Sequence, residues 1–167
     1  MSTVFSSDDL PGLPDSVLEA AEFAPVEDVV VPIIRAALPG ARIYTEIPEK
    51  GVFPYALVRV TPTERWWSGD DRFVDWAVVF VHVFTEGNNA DRAAAIFSEA
   101  IRVALRDAWR DQVVTEHGSI ASYQMANRPT RRSDWATSVG PVQYANLPTS
   151  TVRYETMYTL QIRRPLS

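Results

Sequence analysis

Apolar positions recur along this chain with two periods, and each change of period marks a new element. Val26, Val29, Val30, Ile33, Ile34, Ala37 and Leu38 are spaced three and four apart, one stripe of a helix over about residues 27–38. Pro39-Gly40 ends it. Pro32 is the flaw in that helix. It is tolerable if the helix starts near Asp28, which leaves the proline at the edge of the first turn; otherwise it kinks the helix. A period of two then predicts strands over residues 41–47, 55–61 and 73–85. Residues 48–51 read as a turn, and residues 65–71 as a loop or hairpin between the second and third strands. The third strand is apolar on both faces over residues 77–84, which predicts a central strand covered on both sides.

The helical period returns over residues 90–109, with Asn88 or Asn89 as its cap. Ala93, Ala94, Phe97, Ala100, Ile101, Ala104, Leu105 and Ala108 form its buried stripe, and the small side chains let it lie close to a sheet. A fourth strand is predicted over residues 120–127. Residues 128–148 read as a long loop, of a length that in compact domains is functional or held by a partner. Residues 151–163 alternate strictly, with Val152, Tyr154, Thr156, Tyr158, Leu160 and Ile162 facing one way, as in a half-buried antiparallel strand. The order is therefore α-β-β-β-α-β-β. The fold class is α+β, with two helices packed on a mainly antiparallel sheet and residues 26–167 forming one domain. Residues 1–25, rich in Ser, Asp, Pro and Gly, form an N-terminal arm. Helix potential there is confined to residues 17–23, with Asp15 or Ser16 as N-cap.

Composition narrows the functional classes. At 167 residues, 46% apolar and 22% charged, the chain suits one globular domain with an arm, neither disordered nor a coiled coil. The absence of cysteine excludes disulfides, cysteine-ligated zinc, iron–sulfur clusters and thiol nucleophiles. A net charge of −5 argues against a basic surface gripping nucleic acid as the main function. The first residues lack the basic and apolar regions of a signal peptide. The longest apolar stretch, residues 73–84, is broken by Asp75 and His82, so no membrane association is expected.

Candidate chemistry is sparse. No GxGxxG, GxxxxGK[ST], HExxH or GxSxG motif occurs. His82, inside a buried-looking strand, reads as a structural histidine. His117, beside Gly118, reads as solvent-facing. Asp70-Asp71 with Asp75 read as a polar hairpin end rather than as paired acids or a divalent-ion loop. Trp66-Trp67 either closes an edge of the core or anchors a partner, and Trp135 poses the same choice. Arg128, Arg131 and Arg132, with Asp134 nearby, belong either to a solvated loop or to a contact with a neighbouring subunit or a phosphate. No catalytic residue, metal or cofactor is expected. The profile suits a structural or interaction protein better than an enzyme.

Four segments carry a resemblance. They are residues 26–38; Tyr44-Thr45-Glu46-Ile47-Pro48 leading to Pro54 and Leu57-Val58-Arg59-Val60; residues 75–84 running into Ala90-Asp91-Arg92-Ala93 and Ile101-Arg102-Val103-Ala104-Leu105; and Val152-Arg153-Tyr154 through Leu160-Gln161-Ile162-Arg163. In this order the chain resembles the tail terminator (tail-completion) proteins of long-tailed, non-contractile phages of actinobacteria. Residues 1–25 are additional, Pro32 interrupts the first helix, and Trp66-Trp67 stands where small residues are expected. The resemblance implies an α+β subunit of a hexameric ring on the head-proximal end of the tail tube. Such a ring ends tube polymerisation and meets the head-side connector or stopper protein. Genomic DNA passes through its lumen without sequence-specific binding. The location implied is the virion tail or neck, assembled in the cytoplasm of the bacterial host. The expected contact elements are the arm, the turn with Glu49 and Lys50, Trp66 and Trp67, and the 128–148 segment with Arg128, Arg131, Arg132 and Trp135. Two other readings stay open: a different neck component, such as a head-completion or stopper protein, and a dimeric α+β domain binding a small ligand.

Overall fold

In the computed structural model, residues 5, 8, 11–61, 74–132 and 150–165 are described. Among these residues three helices, α1 (Asp15–Glu19), α2 (Val26–Ala37) and α3 (Ala90–Arg110), accompany six strands. The strands are β1 (Arg42–Tyr44), β2 (Tyr55–Thr61), β3 (Val74–Thr85), β4 (Val114–Thr115), β5 (Gly118–Arg132) and β6 (Val152–Arg163). They form one sheet in the order β1-β2-β3-β6-β5-β4. Every pairing is antiparallel except β1 with β2. The class is α+β, as the periodicity predicts, with β3 and β6 at the centre.

α2 and α3 cover one face of the sheet. Ala77, Val79, Val81 and Val83 of β3 meet Val29, Val30, Ile33 and Ile34 of α2, Ile101 and Leu105 of α3, and Tyr158, Leu160 and Ile162 of β6 in one core. Each fully buried Val, Leu or Ile adds roughly 1.5–3 kcal/mol relative to exposure. Smaller side chains on α3, Ala94 and Ala104 among them, let its backbone approach the strands. A second cluster, Tyr55, Leu57 and Phe84 with Tyr44, Ile47 and Phe53 around it, seals the opposite face at one end. Further along that face Val78 and Phe80 are half-buried, so β3 is not fully covered on both sides as its sequence predicts.

Several local expectations change. α2 starts at Val26, so Pro32 lies well inside the helix rather than at its first turn. Without an N–H, Pro32 leaves the Asp28 carbonyl without its helical donor. Both residues are exposed, so water can reach that carbonyl. Ala37 is exposed and Val31 is buried, which widens and shortens the stripe. Asn89 occupies the N-cap of α3 but makes no side-chain capping bond. α1 starts at Asp15, two residues before the expected 17, ends at Glu19, and is preceded by Pro14 instead of being capped by Asp15 or Ser16. Leu18 and Ala24 are buried within the chain itself, and Arg164 Nη1 donates to Glu22 Oε1 at 2.9 Å. Residues 14–25 are therefore tied to the domain.

The largest change concerns β5. It runs to Arg132, so Arg128, Arg131 and Arg132 lie on a strand and not in a loop. Pro129 cannot donate to a ladder, and it sits in one of three irregularities against β6, between Asn127 and Thr130. β4, missed by periodicity because it is two residues long, turns through Glu116-His117 into β5. Gly118 follows at φ +142°, and a Cβ there would stand 2.5 Å from the Arg163 carbonyl oxygen.

Candidate interaction surface

The candidate contact residues fall in two separate places. Glu49 and Lys50 are exposed in the turn between β1 and β2, next to the exposed Val52. Arg128, Arg131 and Arg132 are exposed at the far end of β5. Trp66, Trp67 and Trp135 lie outside the described residues, as do Asp70, Asp71 and Asp134.

The β5 end is built by alternation. Arg131 points to the helix face, opposite Tyr154, and Arg132 to the other face, opposite Arg153. On the helix face Arg131 Nη1 bridges both carboxylate oxygens of Asp91, at 3.1 and 3.0 Å, and the Tyr154 hydroxyl donates to the same Asp91 at 3.3 Å. Burial, then the Asp91 carboxylate, raises the Tyr154 hydroxyl above the usual phenol range. Asp91 lies in the first turn of α3, where a carboxylate is also favoured by the helix dipole.

On the opposite face, Arg132 Nε donates to Glu155 Oε1 at 3.1 Å, and Arg153 Nη1 donates to Glu155 Oε2 at 3.3 Å. Arg153 is 1% exposed. Its Nη1 also lies 3.1 Å from Nδ1 of His82, and Glu155 Oε2 lies 3.5 Å from that nitrogen. Burial, then the Arg153 and Arg59 guanidiniums, hold His82 down at about 3. The imidazole is thus neutral at pH 7, and a neutral Nδ1 accepts from the guanidinium. His82 is the structural residue its sequence context predicts. His117 is half-buried rather than fully solvent-facing, and its N–H donates to Thr115 Oγ1 at 3.3 Å.

Two of the three arginines are therefore balanced within the chain. Arg128 has no side-chain partner among the described residues. Sequence reading missed Asp91, Arg153 and Glu155 as parts of this network. Strand alternation in residues 151–163 places Arg153 and Glu155 on one face, but nothing in the pattern shows that Arg153 is buried. Among the described residues no group of His, Asp and Glu is placed to hold a metal ion. No helix of the described residues is long and apolar enough to cross a membrane.

No model of a protein family matches the chain. No curated protein matches it either. Among solved structures, a chain from the virion of a native gene transfer agent particle is similar at 14% identity, with a TM-score of 0.45, over 83% of this chain and 94% of that one. A second solved structure, which carries no descriptive name, is similar at 13% identity, with a TM-score of 0.36, over 89% of this chain and 96% of that one.

Proposed function

We propose that the chain is a virion structural subunit, the tail terminator of a long-tailed phage: a ring on the head-proximal end of the tail tube that ends tube growth and joins the tail to the head-side connector. The observation that carries this reading is the ordered resemblance across residues 26–164. Its four segments fall on α2, on β1 with β2, on β3 with α3, and on β6. These elements supply four of the six described strands and both of the helices packed against them, so the resemblance concerns much of the core rather than one surface motif, with β4 and β5 outside it.

A closed ring needs heterologous contacts, in which one patch on each subunit meets a different patch on the next. The described surface has such distinct places: the Glu49–Lys50 turn beside β1, and the β5 arginine end across the sheet. The function is mechanical on this reading, with no catalytic step, and the partners are further copies, the tail tube protein and the head-side connector.

The test is the native mass of the 18.7 kDa chain over a concentration series, alone and with tail tubes. A mass near six subunits, or a ring bound at one tip of each tube, is the expected result. A tight dimer that ignores tail tubes overturns the proposal.

A further inference from the structure

The charge of this chain is divided lengthwise. Residues 1–34 contain seven carboxylates and no Lys or Arg, whereas residues 35–167 contain fourteen carboxylates against all sixteen basic side chains. The fold turns this division in sequence into a division in space. Glu22 pairs with Arg164, just beyond the end of β6, and Gly118 beside Arg163 packs on Val29 of α2. Residues 14–29 therefore sit at the C-terminal end of β6. The exposed acids there are Asp15, Glu19 and Asp28, and α1 also exposes Val17 at 52%. Arg128, Arg131 and Arg132 lie at the other end, where Arg132 pairs with Arg153 near the start of β6. Arg153 and Arg164 are eleven residues apart, on the order of 35 Å along an extended strand.

Among the described residues each end keeps its sign. At the β5 end Arg131 pairs with Asp91, Arg132 and the buried Arg153 pair with Glu155, and Arg128 has no side-chain partner among the described residues. At the α1 end Arg164 pairs with Glu22, and Asp15, Glu19 and Asp28 are exposed nearby. Two complementary patches that far apart cannot meet within one molecule, but they can meet between molecules.

We propose that the acidic, Val17-bearing surface of α1 and the start of α2 docks on the arginine end of β5 in a second copy of this chain. The contact is heterologous, so it propagates head to tail and closes wherever the rotation between copies allows. This deepens the ring reading and rests on it only for closure. The charges steer and register the contact, and the exposed Val17 supplies apolar area at its centre.

The test is a charge swap in the full-length chain. Glu19 and Arg128 are exposed, have no side-chain partner among the described residues, and can be reversed with little effect on the fold, checked by circular dichroism. Sedimentation is measured over protein concentration and from low to high salt. The wild-type chain should associate, more weakly as salt rises. Glu19→Arg and Arg128→Glu should each weaken association by about tenfold or more, and the two together in one chain should restore most of it, as expected for a directly facing pair. Association that is indifferent to both reversals overturns this contact, and a hexamer that survives them leaves the ring reading standing without it. Charge-dependent open chains that never close sustain the contact and overturn the ring. A folded monomer at every concentration and at the lowest salt overturns the contact.

Discussion

At the scale of single residues, several side chains occupy positions that a different residue would fill better. Gln112 follows α3 at φ +52°, in the left-handed region. Its N–H bonds the Trp109 carbonyl at 3.2 Å, and that of Val113 bonds the Ala108 carbonyl at 2.9 Å, the pattern of a Schellman cap, where glycine is usual. Gln112→Gly should therefore stabilise the fold by ~0.5–1 kcal/mol, seen as a higher urea midpoint at unchanged slope. Ser98 is buried under α3 with a hydroxyl that has no hydrogen-bond partner among the described residues. Ser98→Ala removes that desolvated group and adds helix propensity, for a gain of ~1 kcal/mol on the same measurement. His82 links stability to pH. Its folded-state value of about 3 lies below the unfolded 6.5, so the unfolded chain binds the proton more readily. The stability at stake is fully present above pH 6.5 and falls steadily as pH drops towards 3. The slope of unfolding free energy against pH between 6.5 and 4 should flatten in His82→Gln. An unchanged slope would mean that His82 titrates normally in the folded chain.

At the scale of elements, α2 carries the clearest prediction. Pro32 interrupts its hydrogen-bond ladder on the exposed side. Pro32→Ala should restore a donor to the Asp28 carbonyl and raise stability by ~1–3 kcal/mol, readable as a shift in thermal midpoint. Much of the architecture is legible in sequence because apolar spacing states it directly. β2 has the predicted bounds, α3 matches to within a residue, and β6 alternates as its side chains require. Ser98 sits on the α3 period, four residues after Ala94 and three before Ile101, but a stripe traced through apolar side chains passes over a serine. β5 was the hard case. Its register shifts three times against β6, which breaks the period of two that sequence reading relies on, and Pro129 with three arginines has the composition of a loop. The candidate interaction surface was legible as residue types but not as an arrangement. Partners 23 and 40 residues away, Glu155 for Arg132 and Asp91 for Arg131, are brought in by the sheet and by α3, and no local pattern points to them.

At the scale of the molecule, the sheet holds the two charged ends apart while the helices fasten one face of it. The three irregularities of β5 make that separation depend on length as well as composition. Between Ser119 and Arg132 the strand uses fourteen residues to match the eleven from Arg163 to Arg153. Side chains alternate faces along the regular stretches, so β5 is read like a coding frame with three extra letters: Ala121, Ala126 and one of the Arg128-Pro129 pair. Removing Ala126 takes out one extra letter and keeps the frame after it, with Asn127 still opposite Met157. Arg131 would stay opposite Tyr154, facing Asp91, and Arg132 opposite Arg153. A single residue inserted between Thr130 and Arg131 has no such slack: it would move Arg131 onto the Glu155 face and turn Arg132 the other way. The deletion should preserve the arginine end and the insertion of an alanine should scramble it, both at unchanged net charge.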